Sequence, residues 1–127
     1  AGVRFLLDVG IEAVQAHERA LVARFLEAAS DLAGLTVYGP RDVTARCGVV
    51  SFNVAGAMSS EVGLILDQSF GIMARTGLHC APSAHHTLGT FPAGTVRFGF
   101  HLYAWQPHRR RDERGAVAGT DYSIRPA

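Results

Sequence analysis

Lysine is absent: all twelve basic residues of this 127-residue chain are arginine. No side chain can therefore act as an amine nucleophile. Cysteine is nearly absent. Cys47 and Cys80 are too few for a disulfide framework and give no pointer to an oxidising compartment, so both are read as thiols. No apolar run approaches the length of a membrane span. The start, Ala1-Gly2-Val3-Arg4, has neither an initiator methionine nor a basic segment with an apolar core and cleavage site. It predicts no export signal and a beginning cut inside a longer protein. A cytoplasmic setting away from membranes is the expectation. Internal repeats and low-complexity segments are missing too.

What remains is a globular composition, 48% hydrophobic and 18% charged. The length suits one domain and is small for a complete enzyme with a cofactor pocket. Apolar residues at Val14, Leu21, Phe25, Ala28 and Leu32 recur at helical spacing, which predicts a helix from Ile11 to Ala33 stopped at Gly34. Gly10 separates it from a shorter helical piece over residues 3–9. Leu35-Thr36-Val37-Tyr38 reads as a strand closed by Gly39-Pro40, and Gly48 to Val54 as the clearest strand. Ser59 or Ser60 can cap a helix with Glu61 in its first turn and Val62, Ile65, Leu66 and Phe70 on one face. Ile72 to Arg75 and Thr95 to Phe100 complete four strands. The expected class is α+β, with helices covering one face of a small, mainly antiparallel sheet.

From His101 onward neither period persists, so the chain divides into a folded part, 1–100, and an arginine-rich tail, 101–127. The tail carries five arginines against three acids, and residues 1–100 carry seven against eight. A solvated, disordered tail fits that distribution better than a nucleic-acid surface.

Chemistry concentrates in Arg75-Thr76-Gly77-Leu78-His79-Cys80-Ala81-Pro82. A thiol becomes a useful nucleophile when a nearby cation or histidine favours its thiolate and the sulfur stays accessible. His79 and Arg75 are the right residue types for this, and Gly77 permits a tight backbone. Spacing alone leaves two readings open, a specialised thiol or a merely exposed loop cysteine. Cys47, at the head of an apolar run, reads as a buried core residue of low reactivity.

In Thr95-Val96-Arg97-Phe98-Gly99-Phe100 a period of two sends Val96, Phe98 and Phe100 to the core, and Thr95, Arg97 and Gly99 to the other face. Arg97 beside a glycine has room to hold a carboxylate through two parallel hydrogen bonds. The alternative is an arginine paired with a structural acid on the sheet surface. A metal site drawn from His79, Cys80, His85 and His86 lacks the paired ligand spacing zinc sites use, and no metal is expected. His17 reads as a satisfied packing histidine.

Five stretches together, Val37 to Pro40, Gly48 to Asn53, Glu61 to Asp67, Arg75 to Pro82 and Gly94 to Phe98, resemble the C-terminal small domain of a cysteine desulfurase. These are class V aminotransferases, fold-type I enzymes dependent on pyridoxal 5'-phosphate. The most specific element is the arginine-threonine-glycine-x-histidine-cysteine-alanine segment. The resemblance implies a sulfur transfer from L-cysteine, with Cys80 as the nucleophile that keeps a persulfide while alanine leaves. It implies Arg97 as the grip on the substrate carboxylate, Arg75 as a second active-site arginine and His79 as a supporting neighbour. It also implies a sulfur-acceptor protein, a homodimer in the full-length enzyme, and service to iron-sulfur cluster assembly. The cofactor would be held mainly by a large domain outside this lysine-free chain, which alone should be inactive.

The alternatives are a non-catalytic truncated remnant or binding module of the same fold, and another transaminase-like enzyme in which Cys80 is incidental. The tail departs from the asparagine-threonine turn and final helix the resemblance implies, as a change of reading frame or a lineage-specific extension would make it.

Overall fold

In the computed structural model, which describes residues 2–101, the elements run α1 (Gly2–Val9), α2 (Ile11–Ser30), β1 (Leu35–Tyr38), β2 (Val49–Val54), α3 (Ser59–Phe70), β3 (Arg75–Gly77), α4 (Pro82–Leu88) and β4 (Thr95–Gly99), with a 3-10 turn at Val43–Ala45. The tail from residue 102 lies outside the described residues. No helix among them is long and apolar enough to cross a membrane.

Gly10, at φ 88°, makes the break between the first two helices, and its amide still bonds Leu6 O at 2.9 Å. The strands form one antiparallel sheet in the order β1-β2-β4-β3. Because Val50 pairs with Phe98 and Phe52 with Val96, these four side chains share a face. Phe25 of α2 lies on that face, 5.8 Å from both Phe52 and Phe98 and 6.0 Å from Phe100, ring centroid to ring centroid. Val22, Val50 and Val96 are fully buried beside this cluster. Burying a side chain such as Phe52 contributes about 1.5–3 kcal/mol.

The third helix packs on the same face through Gly63. A Cβ there would stand 2.5 Å from Thr76 Cγ2, so only glycine admits this approach. Glu61 accepts a hydrogen bond from the Met58 amide at 3.0 Å, which starts the helix, and Gly71 in the left-handed region ends it. The α+β architecture, with α2 and α3 against one face of a small sheet, is the one the sequence predicts.

Five local expectations need correction. The strand expected over Ile72 to Arg75 begins at Arg75 instead, because the left-handed stop at Gly71 spends the Ile72 amide on Leu66 O and leaves Met73 87% exposed. On α3, Val62 and Leu66 are half-buried, but Ile65 and Phe70 face outward. The helix expected to reach Ala33 ends at Ser30. Cys47 is exposed, since β2 starts two residues later and only its even-numbered residues turn to the core. His17 is not satisfied, for among the described residues its buried Nε2 has no partner. A further element, α4, was not foreseen: Pro82 occupies its first turn, and Gly89 at φ 69° stops it.

Candidate functional site

The face of the sheet opposite Phe25 and Gly63 is where the predicted arginines stand. Register places Thr36 and Tyr38 of β1, Val49, Ser51 and Asn53 of β2, Thr95, Arg97 and Gly99 of β4, and Arg75 and Gly77 of β3 on this face. None of these positions is an aspartate or glutamate. The structural alternative for Arg97, an acid on the sheet surface, therefore has no candidate on the strands themselves. Arg75 lies directly opposite Arg97. Like charges so placed repel, and an anion between them would relieve the repulsion. Both line an open hollow floored by Val49 and Gly99 and edged by Met73 and Ala74.

The cysteine loop leaves β3 at Gly77, whose φ is 98°. Its backbone is pressed against that of Gly94, where a Cβ would come within 2.3 Å of the Gly77 carbonyl carbon. The turn that follows is closed by the Ala81 amide donating to Leu78 O at 2.9 Å. Its two central residues, His79 at φ 52° and Cys80 at φ 60°, both occupy the left-handed region without being glycine. Such conformations cost about 1–3 kcal/mol each and persist where the surroundings enforce them.

In this turn His79 Nε2 stands 3.2 Å from both Thr95 O and Thr95 Oγ1. Thr95 is 1% exposed and begins the strand that carries Arg97. The loop before that strand is held in turn by Asn53, whose Nδ2 donates to Gly94 O at 3.1 Å, and by Ser59 Oγ donating to Ala93 O at 3.0 Å.

The side chain of Cys80 is exposed, and among the described residues no hydrogen bond reaches its sulfur. His79 is held below the ordinary imidazole range, by burial first and then by the Arg97 guanidinium, with smaller contributions from His85 and Arg75 against the opposing bond to Thr95. A neutral His79 brings no positive charge to the neighbouring thiol at neutral pH.

His85, buried on α4, stands 5.8 Å from the His79 ring and bonds Thr90 Oγ1 through Nδ1 at 2.7 Å. His86 points elsewhere and stacks on Phe91 at 3.9 Å. Among the described residues no three of His, Cys, Asp and Glu are grouped to hold a metal ion. The structure thus gathers Arg75, Arg97 and His79 around β4 and leaves the Cys80 sulfur at the surface of the same loop. Sequence reasoning missed Thr95, Asn53 and Gly94, which only the register of distant segments brings to this place.

The family model described as aminotransferase class-V matches residues 1–107. A probable cysteine desulfurase 2 of Mycobacterium leprae (strain TN) is 38% identical over 122 residues, 96% of this chain and 28% of the relative. A probable cysteine desulfurase of Pyrococcus abyssi is 39% identical over 103 residues, 81% of this chain and 25% of the relative. Among solved structures, the apo cysteine desulfurase of Thermococcus onnurineus NA1 superposes with a TM-score of 0.74 at 40% identity, covering 81% of this chain and 25% of that one. The cysteine desulfurase CsdA of Escherichia coli, in an S-sulfonic acid form, gives 0.64 at 27% identity, over 77% of this chain and 23% of that one. The chain spans about a quarter of the length of these relatives.

Proposed function

Since the chain belongs to the class V aminotransferase family, we propose that it is the small domain of a cysteine desulfurase and supplies that enzyme's sulfur-accepting thiol and its carboxylate grip. The observation that carries this reading is the pairing of Arg75 and Arg97 on a sheet face whose strands offer no acid, one strand away from the loop of Cys80. Two guanidiniums suit the carboxylate of L-cysteine, with Arg97 as the bidentate partner and Arg75 as the second cation.

An exposed thiol on a short loop suits both halves of a sulfur relay. Cys80 attacks the substrate sulfur, a sulfur–sulfur bond forms and the carbon–sulfur bond breaks. The thiol and cysteine become a persulfide and alanine. The exposed persulfide is then open to a second thiol on an acceptor protein; the proposal extends to a homodimeric cytoplasmic enzyme serving iron-sulfur cluster assembly, which rests on the family resemblance alone.

Class V aminotransferases and cysteine desulfurases are generally dependent on pyridoxal phosphate. The residues of this chain do not fit that cofactor, because no lysine amine exists to hold it. Its place is in the part of the enzyme beyond this domain.

The test uses the full-length protein that carries this chain. With L-cysteine it should release alanine, and Cys80→Ser should stop release while cysteine binding persists. Undiminished alanine release by Cys80→Ser would overturn the assignment.

A further inference from the structure

The turn that presents Cys80 is one the chain would not choose unaided. His79 and Cys80 are consecutive non-glycine residues in the left-handed region, φ 52° and 60°. The Ala81 to Leu78 bond closes the turn but does not fix which way its two side chains point. The side-chain contact that joins the turn to the sheet is His79 Nε2 on Thr95. Thr95 O can only accept, so a bond to it requires the proton on Nε2 and leaves Nδ1 with a bare lone pair, whereas Thr95 Oγ1, at the same distance, can accept or donate. That Nδ1 is buried and, among the described residues, has no partner. The histidine is thus fastened at one nitrogen only, and to the strand of Arg97 two residues away on the same face.

We propose that His79 is a positioning residue whose Nε2–H bond to Thr95 holds Cys80 in its strained presentation and sets it against the carboxylate grip of Arg97. The proposal rests on Cys80 being the sulfur acceptor. It gives His79 a role through geometry, not through charge or proton transfer. The grip itself does not depend on His79, so substrate affinity and the rate of sulfur transfer respond differently when the latch is cut.

Two measurements test it. In the chain labelled with 15N histidine, long-range nitrogen–proton correlations should show His79 neutral with its proton on Nε2. A proton on Nδ1 would overturn the latch. In the full-length protein, His79→Ala should lower kcat for alanine release roughly tenfold, about the worth of one partly buried hydrogen bond. KM for cysteine should stay within about twofold. His79→Gln, which places an amide N–H near the position of Nε2, should recover most of the loss. Equal losses in the two variants, or an unchanged kcat in His79→Ala, would overturn the proposal. Persulfide formation surviving Cys80→Ser would instead sink the reading of Cys80, whatever the histidine correlations show.

Discussion

Arg75 and Arg97 face each other directly across the pair of strands β3 and β4. Two cations in adjacent register tend to destabilise a sheet, and an anion held between them would offset that cost. Neutralising one should then stabilise the free chain. Arg75→Gln is expected to raise the urea midpoint, by about 0.2–1 kcal/mol in stability at low salt, with the gain shrinking as salt screens the pair. A loss of stability would mean that Arg75 has a structural partner.

Arg97→Lys in the full-length protein separates a bidentate grip from a simple charge. A lysine ammonium keeps the charge but cannot make two parallel hydrogen bonds, so kcat/KM for cysteine should fall by about a hundredfold. Steady-state kinetics would decide it, and a change of less than about threefold would move the carboxylate role to Arg75 or beyond this domain.

Much of the fold was legible because period two and period 3.6 are local signals. Thr95 to Phe100 alternates cleanly, and the structure puts Val96 and Phe98 on the helix side and Arg97 on the other. The short helix from Pro82 was invisible to periodicity, being seven residues with two adjacent histidines, His85 buried and His86 turned outward. Cys47 misled because an apolar run says nothing of where a strand starts relative to the sheet. The candidate site residues Cys80, Arg75 and Arg97 stood out by type and by resemblance. That Arg75 and Arg97 are directly opposite, and that His79 reaches Thr95, depends on register between distant segments, which no local pattern encodes.

Backbone contact at Gly94 predicts an unequal pair of glycine substitutions. Gly94 (φ 72°) and Gly89 (φ 69°) share a left-handed backbone, so alanine should cost about 1–2 kcal/mol at either. Only at Gly94 would the added carbon meet the Gly77 backbone, at 2.3 Å, whereas nothing lies within 4 Å at Gly89. Gly94→Ala should therefore be clearly the more destabilising in chemical denaturation. Equal losses would show that the two backbones do not press together.

The lowered pKa of His79 has a consequence for stability against pH. Burial, Arg97, His85 and Arg75 all disfavour its cation, and Thr95 only partly compensates. The unfolded chain binds a proton near pH 6.5, and the folded chain binds it at lower pH. The contribution of His79 is fully present above about pH 6.5 and is lost as the pH falls through its folded value. Urea midpoints measured from about pH 7.5 down to about pH 5 should fall less steeply in His79→Gln than in the parent. Asp42 lies outside this window, since Thr44 holds its carboxyl below the usual carboxylate range. Parallel curves would contradict the placement of His79 beside the two arginines.

The most direct test of the central claim is where the sulfur goes. The full-length protein is exposed briefly to L-cysteine, trapped with an alkylating agent and mapped by peptide mass. The account predicts one added sulfur atom on the peptide of Cys80 and none on that of Cys47, although both thiols are exposed on this chain. Added sulfur on Cys47 instead, or alanine released with no sulfur on Cys80, would contradict it.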